Sequence, residues 1–525
     1  SMKVGYNFGS AAMASFFTRL TYNYDNRYMA TYTYRYDGSS NFGPRRRWAG
    51  FHAAAASWRF TNEQFFKNWN ADVISDGKIR IGWGQTGNSD IPGYRWGSAI
   101  SRMPTGLGAG YRQYNIANPY IQWETQTQWN FGLDMGFFNE RIKLTVELYD
   151  KKSSNMLMNM QLPTYMGSSE LSNPSSRLEP PMGNYGTIDN KGLEIAVSTR
   201  NLENRNGGLE WETDFQISFN RNKLVALDGT ENAHIEGYAQ WIGTGELVSL
   251  SRIGEPLYSF YGYVTDGYYK DLADIQNSPK GGKYPADGKS FNRNNTVWAG
   301  DQKFLDISGP DGVPDNVIDE YDRQVIGSPM PKFTFGMTNT FRYRNFDLSI
   351  FINGSYGNKI YNRTAAGLSN MNTAWDNQLQ YIKDRAQLEV INPNTTYDGA
   401  NGVWNWYDDI GNVRIINGTA PTAPRAIRGD PNDNDRVSNR YIENGSYLRI
   451  KNVTIGYTLP QMLTQKVKLS TVRAYVNIQN LWTLTKYTGY DPEVGVNTMT
   501  PNVYGLDYGR YPSPAVFSFG LNLSF

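Results

Sequence analysis

The 525-residue sequence predicts an all-β chain, an antiparallel transmembrane β-barrel with long outer loops, on three observations. Apolar and polar residues alternate with a period of two in run after run. No stretch of 18 apolar residues occurs and the mean hydropathy is −0.58, which excludes a helical membrane protein. The connections between runs are either very tight or very long, as in barrels with turns on one side of a membrane and loops on the other. A low hydropathy average fits such a wall, because each strand shows lipid only every second side chain.

The alternation is clearest at the C-terminal end. Phe517, Phe519, Leu521, Leu523 and Phe525 alternate with Ser518, Gly520, Asn522 and Ser524, and Val472, Ala474, Val476 and Ile478 with Arg473, Tyr475, Asn477 and Gln479. Further back, Phe333, Phe335 and Met337 stand against Thr334, Gly336 and Thr338. Trp129, Phe131, Leu133 and Met135 stand against Gln128, Asn130, Gly132 and Asp134, and Ile142, Leu144, Val146 and Leu148 against Arg141, Lys143, Thr145 and Glu147. Successive side chains of a strand point to opposite faces, so each run has one apolar and one polar face. A change of parity at Arg449–Val453 predicts a bulge. Helices are scarce, with one short turn expected at Glu63–Trp69 and another at Gln461–Lys466.

Tight connections are expected at Asp25-Asn26, Asn139-Glu140, Arg344-Asn345 and Asn206-Gly207-Gly208; long ones cover 87–125, 154–184, 358–445 and 484–513. Counted back from Phe525 as a periplasmic end, all tight turns fall on one side if 222–331 is a single outer excursion. That count gives about thirteen spans, an odd number for a bacterial barrel, so further strands are expected upstream. The strand-like Leu257–Val264 would break the count and is assigned to the excursion, paired with Ile235–Ile242. Ser1-Met2-Lys3 reads as a cut point that leads straight into strand-like text. The domain reading is one barrel portion over 1–525, carrying the excursion 222–331 and the loop 358–445.

Composition narrows the chemistry. Lys+Arg 51 against Asp+Glu 49 gives a net charge of +2 without basic blocks, so no nucleic-acid partner is expected. The absence of cysteine removes disulfides, thiolate metal sites and cysteine nucleophiles. Two histidines, His52 and His234, make no ligand spacing, and no Gly-x-Ser-x-Gly or phosphate-binding glycine loop appears. No spacing selects a catalytic carboxylate pair. The chain is not expected to be an enzyme.

Several blocks resemble one family. They are Arg35-Tyr36-Asp37-Gly38-Ser39-Ser40-Asn41-Phe42-Gly43, the stretch Ser446-Tyr447-Leu448-Arg449-Ile450-Lys451-Asn452-Val453-Thr454-Ile455-Gly456-Tyr457-Thr458-Leu459-Pro460, and Phe519-Gly520-Leu521-Asn522-Leu523-Ser524-Phe525. Asn480-Leu481-Trp482-Thr483, Tyr490-Asp491-Pro492-Glu493 and Tyr511-Pro512 belong with them. In this order they resemble the SusC/RagA group of TonB-dependent transporters. The resemblance implies a barrel of about 22 strands in the outer membrane of a Bacteroidetes-type bacterium. It implies an N-terminal plug, a segment that contacts the TonB complex, and a SusD-like lipoprotein that caps the mouth and captures glycans or peptides. Plug and remaining strands are expected from an upstream or separate chain, with outer-membrane lipid around the wall. Two readings from other classes stand beside it: a secreted β-rich carbohydrate-binding or adhesive protein, and a passive porin-type channel.

Three groups of residues are candidate sites. The segment Asp306–Asp322 resembles a calcium loop, with Asp311, Asp315, Asp319 and Asp322 as ligands at positions 1, 5, 9 and 12 of the loop and Asn316 at the bend. Val313 offers no side-chain oxygen, so Asp306 and Ser308 would complete the set; a solvated acidic turn is the plain alternative. Calcium, in a structural role, is the only cofactor the sequence suggests. Tyr94, Trp96, Trp404, Trp406 and Tyr407 in the outer loops suit stacking on sugar rings, or packing of the loops against one another. Phe525 looks like the terminal aromatic that barrel-assembly machinery reads, or is simply the last lipid-facing residue.

Overall fold

Thirteen antiparallel strands pair in chain order into one sheet. They are β1 (Met13–Tyr24), β2 (Tyr28–Ser39), β3 (Trp48–Trp58), β4 (Ile74–Asn88), β5 (Glu124–Phe137), β6 (Ile142–Asn159) and β7 (Met182–Leu202), then β8 (Leu209–Ala226), β9 (Phe333–Tyr343), β10 (Phe346–Tyr356), β11 (Tyr447–Thr458), β12 (Thr471–Thr485) and β13 (Val516–Ser524). The structure, a computed structural model, describes residues 11–69, 73–91, 95–160, 178–203, 208–229, 233–241, 244–372, 375–399, 405–495 and 502–525. Among these, β1 pairs only with β2 and β13 only with β12.

The registers keep the alternation in phase across the sheet. Phe131 lies opposite Leu148 and Leu133 opposite Val146, while Asn130 faces Tyr149 and Gly132 faces Glu147. The apolar set is the exposed one: Phe131 is 52% exposed, Leu148 53% and Phe519 80%. A continuous apolar face of this kind is a lipid-facing wall.

The tight turns form where expected, because their residues tolerate left-handed backbone. Asp25 and Asn26 have φ of 52° and 51° in a three-residue connection closed by Tyr24 opposite Tyr28; Asn139, Glu140 and Arg344 also have positive φ. Asn206 and Gly207 lie outside the described residues. The first short helix is Gln64–Trp69, preceded by a single 3-10 turn, and the second is Gln461–Thr464. The parity change is a bulge: pairing of β11 with both β10 and β12 slips between Ile450 and Asn452.

Buried apolar side chains concentrate in a canopy of outer connections rather than in the wall. One cluster joins Val248 and Phe260 of the first excursion, Tyr361, Ala366 and Tyr441 of the second, and Val503 and Leu506 of the last. Its main sheet has strands His234–Trp241, Thr244–Arg252, Ser259–Gly262 and Gln324–Gly327, in that order. The expected pairing of Leu257–Val264 with Ile235–Ile242 is therefore corrected: Thr244–Arg252 lies between them. In that strand Val248 and Leu250 alternate with Ser249 and Ser251, but all four are buried, so the short alternation marks no water-facing side as it does in the wall. The connection 87–125 likewise contains an unforeseen hairpin, Ile100–Thr105 with Gly108–Gln113.

Candidate functional site: the polar wall and its canopy

The inward face of the sheet carries amides, hydroxyls and paired charges. On β4 and β5, Arg80 holds Asp134 with two hydrogen bonds, Nε to Oδ2 at 2.8 Å and Nη2 to Oδ1 at 3.1 Å, and Lys78 adds a third cationic contact at 3.1 Å. Asn130 donates to Glu147 at 2.5 Å and accepts from Gln128 at 2.7 Å. Arg80 crosses the backbone of Gly132, where a Cβ would sit 2.6 Å from the guanidinium carbon. Around the sheet, Arg473 bonds Asp347 at 2.9 Å, Arg342 bonds Glu210 at 2.7 Å, and Tyr149 donates to Asn220 at 2.9 Å. Pairing neutralises these charges along the wall and leaves a polar, hydrogen-bonding surface.

The outward face departs from apolar alternation near the turn side. Asn339 accepts there from Trp211 Nε1 at 3.0 Å and from Thr213 Oγ1 at 2.7 Å, so its carbonyl does not face hydrocarbon unsatisfied.

The bulge in β11 puts Arg449 on the inward face. Its guanidinium, on a side chain 4% exposed, donates to Asp491 at 2.5 Å, Glu493 at 2.7 Å and Thr483 at 2.8 Å. Burial pushes the Asp491 carboxyl up, but the amides of Glu493 and Ser513 together with Arg449 outweigh it and hold it below its ordinary value. A second buried group joins two canopy excursions: Arg425 donates to Asp301 at 2.7 and 3.1 Å, and Asn434 donates to Asp301 and to Asp430. Burial, then the charges of Asp301 and Asp435, push Asp430 up to about 7.

The structure places the sequence-selected residues as follows. Asp322 is fully buried and accepts from the amides of Ile307, Ser308 and Asp319, while Asp319 accepts from the amide of Tyr321. Asp306 accepts from Asn316 N at 2.6 Å and Asp315 from Val317 N at 3.0 Å; Asp311 is exposed. These carboxylates hold their own backbone, and among the described residues no three acidic or histidine side chains converge as metal ligands. Trp406 packs on Trp298 and Val413, and Tyr407 stacks under Arg293 at 4.3 Å. Trp96 packs on the distant cluster of Phe42, Ile121 and Trp123. The aromatics thus do not form one surface, and Tyr94 and Trp404 lie outside the described residues. Phe525 is 93% exposed and has the outward parity of β13. The Arg449 and Asp430 clusters were missed as sites; the sequence signals for the first were the parity change and the two family-like blocks that carry Arg449 and Asp491-Pro492-Glu493.

Comparison with known proteins gives one family. The family described as TonB dependent receptor-like, beta-barrel, matches residues 4–481. TonB-dependent receptor P3 of Formosa agariphila is 32% identical over 98% of this chain and 45% of its own length. TonB-dependent receptor SusC of Bacteroides thetaiotaomicron is 27% identical over 98% and 44%. The solved structure of the RagAB peptide transporter superposes with a TM-score of 0.71 at 22% identity, over 98% of this chain and 48% of that one. This chain spans less than half the length of the curated relatives it matches. With such relatives a secreted adhesive protein and an enzyme both fall away, and the wall belongs in an outer membrane. The chain belongs to the TonB-dependent receptor β-barrel family.

Proposed function

We propose that this chain forms the greater part of the barrel of an energised importer, taking up a large oligomeric nutrient, glycan or peptide. The observation that carries the reading is the open sheet itself. Its outward face suits lipid, its inward face is polar, and among the described residues its two edge strands each have one unpaired side. Open edges are not stable in hydrocarbon, because unpaired backbone groups have no water there. Nine or so further strands and a plug, from an upstream or separate chain, close the wall in this reading. A SusD-like lipoprotein over the canopy and the TonB complex at the plug complete the assembly. That one relative is named a TonB-dependent receptor and that the fold is shared with a peptide transporter support the energised import in this reading.

Uptake of fluorescent oligosaccharides and oligopeptides by cells with and without this gene, each with TonB intact or deleted, tests the proposal. One oligomer class should enter only when both genes are present. Entry that persists without TonB would favour a passive channel instead.

A further inference from the structure

The turn 40–47 between β2 and β3 carries three consecutive cations, Arg45, Arg46 and Arg47. Arg45 and Arg46 are exposed and Arg47 is half-buried. Among the described residues none of the three has an ion-pair partner, whereas the arginines of the inward wall are paired, such as Arg80 with Asp134 and Arg473 with Asp347.

The turn's height in the membrane is fixed by the residues beside it. Trp48, next in the chain after Arg47, lies flat on the outward face. Its ring is 5.1 Å from Tyr36 with 13° between planes, and 6.1 Å from Phe16. Gly38 makes room for it, since a Cβ there would sit 2.6 Å from the indole. Further down the strands, Tyr34 and His52 pack at 4.8 Å and Tyr32 bonds His52 at 2.8 Å. Outward-facing rings of this kind settle at the headgroup level of a bilayer. Arg45 and Arg46 precede Trp48 by three and two residues, so even a fully extended chain, at about 3.3 Å per residue, keeps them within about 10 Å of it. That is the layer where lipid phosphates lie.

We propose that Arg45 and Arg46 form a docking site for the phosphate-bearing headgroup of an outer-leaflet lipid. A guanidinium fork matches phosphate oxygens with paired, charge-assisted hydrogen bonds. The aromatic belt just below supplies the apolar surface on which that lipid's acyl chains lie. The charge and the belt together commit the site to a lipid rather than to a free anion.

The test uses the full-length receptor in detergent, titrated with lipid A or with lipid A stripped of its phosphates, bound lipid being counted by native mass spectrometry. Lipid A should bind the parent protein and the dephosphorylated form should not. Each arginine is worth about fivefold in affinity, so R45Q/R46Q should bind lipid A about 25-fold more weakly. R45K/R46K should recover part of the loss, and heat-modifiable gel migration checks that all variants are folded. Equal binding by R45Q/R46Q, equal binding of dephosphorylated lipid, or displacement by an equal concentration of inorganic phosphate would each overturn the proposal.

Discussion

Arg449 donates to Asp491 at 2.5 Å with both side chains almost wholly buried, joining the bulged strand β11 to the last outer connection. The bulge makes this contact possible, because without it residue 449 would share the outward parity of Val453 and Ile455. Two separate family blocks, Arg449 within the first and Asp491-Pro492-Glu493 within the second, meet in one ion network.

Arg449→Met should leave Asp491 buried without its cation and cost about 3–5 kcal/mol locally. Hydrogen exchange should rise at the amides of Glu493 and Ser513, which both donate to Asp491. Pairing the change with Asp491→Leu should restore part of the lost stability by removing the uncompensated buried charge, but not the protection of these two amides, whose acceptor it removes.

Gly132→Val should break the Arg80–Asp134 pair, because its Cβ occupies the path of the guanidinium. Overpacking of this kind costs about 1–3 kcal/mol, read as a lower melting temperature in heat-modifiable migration. Asp134→Asn, which keeps the volume and removes the charge, separates the steric effect from the electrostatic one.

The canopy should respond to pH through Asp430, whose folded pKa near 7 exceeds the ordinary carboxylate value. Below about 4 the group is protonated whether folded or not, so no penalty applies. As pH rises through 7, the folded state must accept a buried charge near Asp301, Asp433 and Asp435. Exchange in 424–436, corrected for its intrinsic rate, should therefore speed up on going from acid to neutral pH. Asp430→Asn should flatten the profile.

The acidic segment should be held by its carboxylates acting as acceptors. Asp322→Ala strands the amides of Ile307, Ser308 and Asp319, at about 1–3 kcal/mol for each that water cannot reach. A chelator added to the full-length protein should leave its melting temperature unchanged, whereas a calcium-dependent shift would show that the loop rearranges around an ion.

What the sequence revealed follows from where solvent lies. Wall strands such as β5 and β13 meet lipid on one side and water on the other, so Phe131 and Asn130, or Phe519 and Ser518, write that contrast directly into the chain. Turn residues with left-handed backbone, such as Asp25 and Asn26, marked the ends. In the canopy the contrast disappears. Ser249 is 1% exposed between Val248 and Leu250, also buried, so the short alternation there separates no water side from a lipid side. The Asp430 cluster assembles residues more than a hundred positions apart, Asp301 with Asn434 and Arg425, and no local spacing encodes such a contact.

The account depends most on the two faces of the wall, and the chain's lack of cysteine makes them directly measurable. Single cysteines at positions 128 to 133 of β5, placed in the full-length protein in bilayers, can carry a fluorophore read against a lipid-dissolved and a water-dissolved quencher. The account predicts strict alternation, with 129, 131 and 133 quenched from lipid and 128, 130 and 132 from water. Uniform quenching from water along the whole strand would contradict it.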